Sequence, residues 1–371
     1  MRVAVDVTPL LGAPTGVAQA LRGLLGALPA AAPHVEVAPF VVSGRAARSG
    51  PVVADGVRAT AIPLPAGLAI RAWGRLDVPR VDRWLGDADV VHGSNFVVPP
   101  VRARPAVATV HDCWCARHPA QCRPEVTAFT AAVRRAVARG AWLHVTTAHG
   151  ASEVAEVYGA VERVVVVPFA VPASPGGPAG RLPSSVGRRP YVLSMAALDP
   201  RKGLAGLVRA FGSLAGGGAD VALVLAGPDG PARPGIDEAV AALPPAVRDR
   251  VLVLGTVDES TRAALLDGAR ALAYPSLDEG FGFPVLEAMS RGVPVVASSA
   301  GALPEVTAGA ASLVPVADDD ALAAALGRVL TDEALRATLV AAGRARAAEL
   351  TWERTARGMA DLWRRALDAG R

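Results

Sequence analysis

The chain has 371 residues, enough for two or three domains at roughly 100–200 residues each. Hydrophobic residues make up 51% and charged residues 19%, which excludes disorder, and no apolar run approaches the ~20 residues of a membrane helix. The net charge of +4 admits acidic partners, but the arginines are scattered rather than striped, so nucleic acid is not implied.

Nothing after Arg2 resembles the apolar core of a secretory signal, since Asp6 follows within four residues. Short Val-rich runs at 3–7, 35–42, 88–92, 106–110, 142–147 and 164–167 alternate with helical spacing at 17–28 and 128–139. The pattern resumes with runs at 191–195, 221–226, 251–254, 271–274, 293–297 and 312–314, and helical spacing at 204–214 and 320–329. Runs of this length between Gly and Pro signals predict buried parallel strands, and the alternation predicts an α/β fold. Between the halves, residues 168–190 hold six prolines and four glycines, too many for strand or helix. The predicted organisation is an N-terminal domain over 1–170, a linker over 171–189, and a C-terminal domain over 190–350. A final helix over 351–371 carries Trp352, Ala356, Met359, Leu362 and Trp363 on one stripe. Two doubly wound domains imply ligands at the carboxyl ends of their sheets.

Lys202 is the only lysine in a chain that otherwise uses arginine, which points to a need for a compact ammonium beside phosphate, with chance survival of one lysine as the plainer alternative. The densest segment runs from Tyr274 to Val296. A strand ends at Tyr274, a loop carries Glu279, Gly280 and Gly282, and a helix opening at Pro284 carries Glu287. Bare backbone N–H groups at such a helix start suit phosphate or hydroxyl oxygens. As a glycosidase pair the two glutamates are poorly spaced. Eight helical residues span roughly 12 Å, whereas such carboxylates lie about 5–9.5 Å apart. A capping Glu and a solvated helix Glu are the plainer alternative.

The spacing from Glu279 through Phe281, Gly282, Phe283 and Pro284 to Glu287-Ala-Met resembles the donor-site motif of retaining GT-B glycosyltransferases of family 4. The likeness extends to Leu303-Pro-Glu305, Leu198-Asp-Pro200-Arg201-Lys202-Gly203, Thr109-Val-His111-Asp112, Asp6 to Leu10, Thr15-Gly16-Val17 and Trp352-Glu-Arg-Thr-Ala. It is strongest with bacterial mannosyltransferase-like members that build cell-surface glycans. The resemblance implies two Rossmann-like domains facing across a cleft, the acceptor on the first and a nucleoside-diphosphate sugar on the second, with the last helix crossing back. It implies that Arg201, Lys202 and Gly16 bind the donor diphosphate. Phe281, Gly282 and Phe283 would present N–H groups to the donor sugar, and Glu287 would hold the ribose. His111 and Glu279 would act at the reaction centre, with no metal and no other cofactor. GDP-mannose is the expected donor. A glycan, lipid-linked or small-molecule hydroxyl is the expected acceptor. The expected place is the cytoplasm, with peripheral membrane contact through the apolar stretch 64–73 as an option. The alternatives are another NDP-sugar donor, a sugar-nucleotide epimerase, or a non-catalytic nucleotide-sugar-binding partner. A phosphorylase would need a second lysine for pyridoxal.

The chain departs from the family at Val17-Ala18-Gln19, which lacks a second glycine and a cation, at Ala196 in place of Gly, and at Gly203 in place of Asn. His34, His92, His144 and His149 carry no motif, although His92 ends a strand at the acceptor edge. Cys113, Cys115, His118 and Cys122 could ligate zinc, but the spacing is not that of a standard finger. Three cysteines cannot build a disulfide framework, so free thiols in a reducing compartment are expected.

Overall fold

The structure is a computed structural model that describes every residue except 13–14, 46–51, 55, 123, 160–161, 173–179 and 371. The chain forms two compact units, one of Met1–Ala170 with Leu350–Arg371 and one of Val171–Glu349. Seven residues of the Pro/Gly-rich stretch expected as a linker, 173–179, lie outside the described residues.

The first unit opens with β1 (Arg2–Asp6), α1 (Gly16–Ala31), β2 (Glu36–Val42), β3 (Val52–Ala54), β4 (Val57–Ile62) and α2 (Ala66–Trp73). It continues with β5 (Val90–Gly93), β6 (Ala106–Thr109), α3 (Trp114–Arg117), α4 (Pro124–Ala138), β7 (Trp142–Val145), α5 (Ala148–Tyr158) and β8 (Val164–Val166). The sheet order is β3-β4-β2-β1-β5-β6-β7-β8. β1 is buried on both faces. Val3 and Val5 enter the core beneath α1, while Ala4 enters the core shared by α2, α4 and α5. A continuous apolar run satisfies two cores at once, which is why these strands show no alternation. The Thr15 hydroxyl caps α1 by accepting from Ala18 N at 3.2 Å. The reading of uniformly parallel strands needs one correction. β3 pairs antiparallel with β4 at the edge. β4 alternates, with Val57, Ala59 and Ala61 toward the core of β1 and α1, Arg58 and Thr60 exposed, and only Ile62 entering the opposite core, so it shows no apolar run. The stretch 64–73 folds largely as α2, which buries Ala69 and Trp73 and leaves Leu68 exposed.

The second unit holds β9 (Tyr191–Met195), α6 (Leu204–Gly216), β10 (Ala222–Ala226), α7 (Arg233–Ala241), α8 (Pro245–Arg248), β11 (Val251–Gly255) and α9 (Glu259–Gly268). It continues with β12 (Ala271–Tyr274), α10 (Phe283–Ser290), β13 (Val295–Ser298), α11 (Leu303–Thr307), β14 (Ser312–Val314), α12 (Asp319–Thr331) and α13 (Glu333–Glu349). All six strands are parallel in the order β11-β10-β9-β12-β13-β14.

The chain then returns to the first unit as α14 (Trp352–Ala369). Its apolar stripe joins the core of β1 and α1 through Ala356, Met359, Ala360 and Trp363, all buried. A Cβ at Gly23 of α1 would lie 2.1 Å from the Trp352 indole, so glycine there admits the ring. Thr355 Oγ1 donates to Pro168 O at 2.7 Å and fixes the helix start.

Cys115 and Cys122 are joined by a disulfide, and Cys113 is free and buried. This corrects the expectation of three free thiols and removes two of the four groups considered for zinc. α3 and the turn Pro119–Gln121 fold the intervening residues back, bringing the two Cα atoms to 5.8 Å.

Candidate functional site

In the second unit, two loops at the carboxyl edge of the sheet are laced together. The first leaves β9 and ends in the turn Pro200–Lys202, where the Asp199 carboxylate accepts from Arg201 N at 3.0 Å. The second leaves β12 and reaches α10. Leu277 N donates to Arg201 O at 2.7 Å. Gly203 is left-handed at φ +64°, and a Cβ there would lie 2.2 Å from Pro275 O. The departure from Asn at 203 thus has a steric reason in this chain. A third loop joins where Ala302 N donates to Glu279 O at 2.8 Å.

This lacing buries Lys202 and Glu279 together. Lys202 Nζ donates to Glu279 Oε2 at 2.5 Å and to the Tyr274 hydroxyl at 3.2 Å. The Tyr274 hydroxyl donates to the same Oε2 at 2.8 Å, and the Ser276 hydroxyl lies at 3.4 Å. Burial pushes the Glu279 carboxyl up, but the adjacent Lys202 and Arg201 cations outweigh it and hold the group at about 2. Burial pushes Lys202 down, and Glu279 more than restores it, so the ammonium stays charged. All protein contacts fall on Oε2, and Oε1 makes no hydrogen bond to a described residue.

Glu287 shows the same asymmetry. It lies in α10, and Arg262 of α9 donates to its Oε2 through Nε at 3.0 Å and through Nη2. Its Oε1 makes no hydrogen bond to a described residue. Burial raises the Glu287 carboxyl, and Arg262 offsets only part of that. The α10 start is set by Gly282, left-handed at φ +89°, with the Phe281 and Phe283 rings 5.2 Å apart edge to face.

Gly16 and His111 belong to the first unit. Gly16 is the exposed first residue of α1. His111 follows β6, and its Nε2 donates to Ser94 O at 3.0 Å. A carbonyl only accepts, so Nε2 carries the proton and the lone pair of the neutral ring is on Nδ1. The ring packs between Phe96 and Phe169, with centroids 5.4 and 6.1 Å away. Burial lowers its pKa. The imidazole is therefore held by Ser94, while the Asp112 carboxylate accepts from Trp114 N.

His92 lies at the carboxyl end of β5, as expected, but it is 1% exposed and forms a chain in which His92 Nε2 meets Thr109 Oγ1 at 2.8 Å and Thr109 Oγ1 meets His144 Nδ1 at 2.9 Å. His144 Nε2 donates to Val167 O at 2.9 Å, which sets the direction of every proton in the chain. Burial holds His92 at about 3 and His144 at about 4, so both are neutral structural groups.

Tyr274, Ser276 and Arg262 were missed as site residues in the sequence. Tyr274 had a signal, as the one polar aromatic ending an apolar strand beside the glutamate loop.

Residues 183–346 match the family model described as glycosyl transferases group 1, a span that contains both laced loops. The O-antigen chain mannosyltransferase B of Escherichia coli is 31% identical over 302 residues, 77% of each chain. The chain belongs to the group 1 glycosyltransferases. The phosphatidyl-myo-inositol mannosyltransferase of Mycolicibacterium smegmatis is 28% identical over 87% of this glycosyltransferase and 80% of its own length. A sucrose-phosphate synthase from Thermosynechococcus elongatus superposes with a TM-score of 0.70 at 21% identity, covering 100% of both chains. Anabaena HepE, solved with UDP and glucose, gives 0.69 at 19% identity over 97% and 98%. These two likenesses establish the GT-B fold of the enzyme.

Proposed function

We propose that this glycosyltransferase moves a mannosyl residue from GDP-mannose to a hydroxyl of a glycan, lipid-linked or small-molecule acceptor, with retention, in cell-surface polysaccharide biosynthesis. The buried Lys202–Glu279 pair carries the reading, supported by the mannosyltransferase names of the two relatives. Lys202 and Arg201 stabilise charge as the bond from sugar C1 to the diphosphate oxygen breaks. The new bond from C1 to the acceptor oxygen forms on the same face, and the acceptor proton passes to the departing diphosphate. Glu279 Oε1 takes a donor-sugar hydroxyl, Glu287 Oε1 takes a ribose hydroxyl, and the N–H groups of Phe281, Gly282 and Phe283 line the sugar. Gly16 closes on the diphosphate, and His111 orients the reacting hydroxyls. Charge comes from the two side chains and the α10 start, so the proposed reaction uses no metal. The proposed place is the cytoplasm, with peripheral contact at the inner face of the membrane as an option. Among the described residues no helix is long and apolar enough to cross it.

The test is a thermal-shift panel of GDP, UDP, ADP and dTDP with their sugars, on wild type and Lys202→Ala. A ligand that binds the native state raises Tm by mass action. A shift with GDP and GDP-mannose that Lys202→Ala abolishes supports the reading. A UDP preference replaces the donor with a UDP-sugar and discards the mannosyl assignment. No shift with any nucleotide overturns the donor site.

A further inference from the structure

A cavity of about 360 Å³ lies in the first unit at the amino edge of the sheet, the edge away from His111. It opens where β6, β7 and β8 begin, and Arg102, Arg104, Arg139 and Arg163 line it together with Trp142. No described Asp or Glu lines it. Three of its arginines are clamped by backbone carbonyls. Arg104 Nη2 donates to Gly86 O at 2.6 Å, Arg139 Nη2 to Val98 O at 3.2 Å, and Arg163 Nη1 to Gly140 O at 2.5 Å. Their positions are thus set before any ligand arrives.

The charge is not balanced. Arg139 shares Asp77 with Arg135. Arg102, Arg104 and Arg163 pair with no carboxylate among the described residues. The last turn of α14 contributes Ala366 and Ala369 to the wall. A helix carboxyl end carries only about half a negative charge, so among the described residues most of three positive charges stay uncompensated. In addition, Arg104 Nη1 is shielded from solvent and has no hydrogen-bond partner among the described residues.

We propose that this cavity binds a phosphate group, from a soluble phosphate ester or from an anionic lipid headgroup. Planar guanidinium forks match phosphate oxygens two at a time. Val101 and Trp142 give the same cavity an apolar wall, which suits the organic part of an ester.

The probes are inorganic phosphate in a calorimetric titration and sedimentation with phosphatidylglycerol or phosphatidylcholine vesicles. The proteins are wild type, Lys202→Ala, Arg102→Gln, and the triple variant Arg102→Gln, Arg104→Gln, Arg163→Gln. Phosphate bound by wild type and by Lys202→Ala, and at least tenfold weaker in the triple variant, supports the site and separates it from the donor loops. Arg102→Gln guards against misfolding, since its side chain makes no hydrogen bond to a described residue; a threefold or greater weakening is expected there. Wild-type capture by phosphatidylglycerol but not phosphatidylcholine vesicles, lost in the triple variant, assigns the lipid source. Phosphate binding without vesicle capture assigns a soluble ester. Wild type that binds neither probe, or a folded triple variant that binds both as wild type does, overturns the proposal.

Discussion

The Lys202 ammonium and the Glu279 carboxylate meet at 2.5 Å across 77 residues of sequence, yet only one of the two carboxylate oxygens takes part. The pair therefore welds two loops while leaving an acceptor for a ligand. It also makes each partner depend on the other, because a lone buried charge is far worse than a buried pair.

Lys202→Ala is expected to destabilise the fold by about 3–5 kcal/mol at pH 7. The sign with pH follows from Glu279. Its folded value of about 2 lies below the ordinary 4.5, so its contribution is present above 4.5 and is lost as pH falls toward 2. In the variant, burial without the ammonium raises the carboxyl, and protonation relieves it. The gap in Tm between wild type and variant should narrow from pH 7 to pH 4, and a gap that widens refutes the account.

Glu287 separates function from stability. Its carboxyl is raised, so its favourable contribution belongs to low pH and fades as pH rises through the folded value. Glu287→Gln is expected to change stability by no more than about 1 kcal/mol at pH 7, while nucleotide affinity falls at least tenfold. Denaturant melts beside nucleotide titrations give both numbers. A large stability loss with unchanged affinity would make Glu287 a scaffold residue.

The His92–Thr109–His144 chain makes the first unit sensitive to acid. Both histidines stay neutral when folded and take up protons when unfolded below about 6.5, so stability is lost as pH falls below that value. By pH 5 the loss is on the order of 2 kcal/mol per histidine. Asp6 works the other way. Burial raises it to about 6, so its contribution grows on acidification, by on the order of 1 kcal/mol. Urea midpoints at pH 7 and pH 5 should show a net loss, and Asp6→Asn should deepen it.

The disulfide predicts a thiol count. Native protein should show no fast-reacting thiol, because Cys113 is buried and the other two are joined. Mild reductant should expose two. Cys115→Ser should lower stability by about 2–3 kcal/mol if the loop-closure model holds for a span this short. Two reactive thiols without reductant would contradict the pairing.

Much of the candidate site was legible because its residue types are rare and local. A single lysine, two glycines flanking Phe281 and a glutamate on each side of a helix start are visible in the chain itself. Tyr274 was less so, since a strand-ending aromatic reads as core until Lys202 is folded against it. Arg262 was invisible: one arginine among many becomes special only when α9 lays it on Glu287. The β3–β4 hairpin escaped because β4 alternates exposed Arg58 and Thr60 with apolar residues and so lacks the apolar run that marks its buried neighbours. The disulfide escaped because composition constrains a framework of cysteines and says nothing of one local pair.

The return of α14 to the first unit has a consequence for the order of synthesis. Val3, Val5 and Leu21 share a core with Met359 and Trp363, so the first domain begun is the last completed. At about 5–20 residues per second, roughly ten to forty seconds separate the emergence of residue 170 from that of residue 350. Throughout that interval a ribosome would display a half-walled N-terminal unit, its α14 seat bare, while the second unit folds behind it.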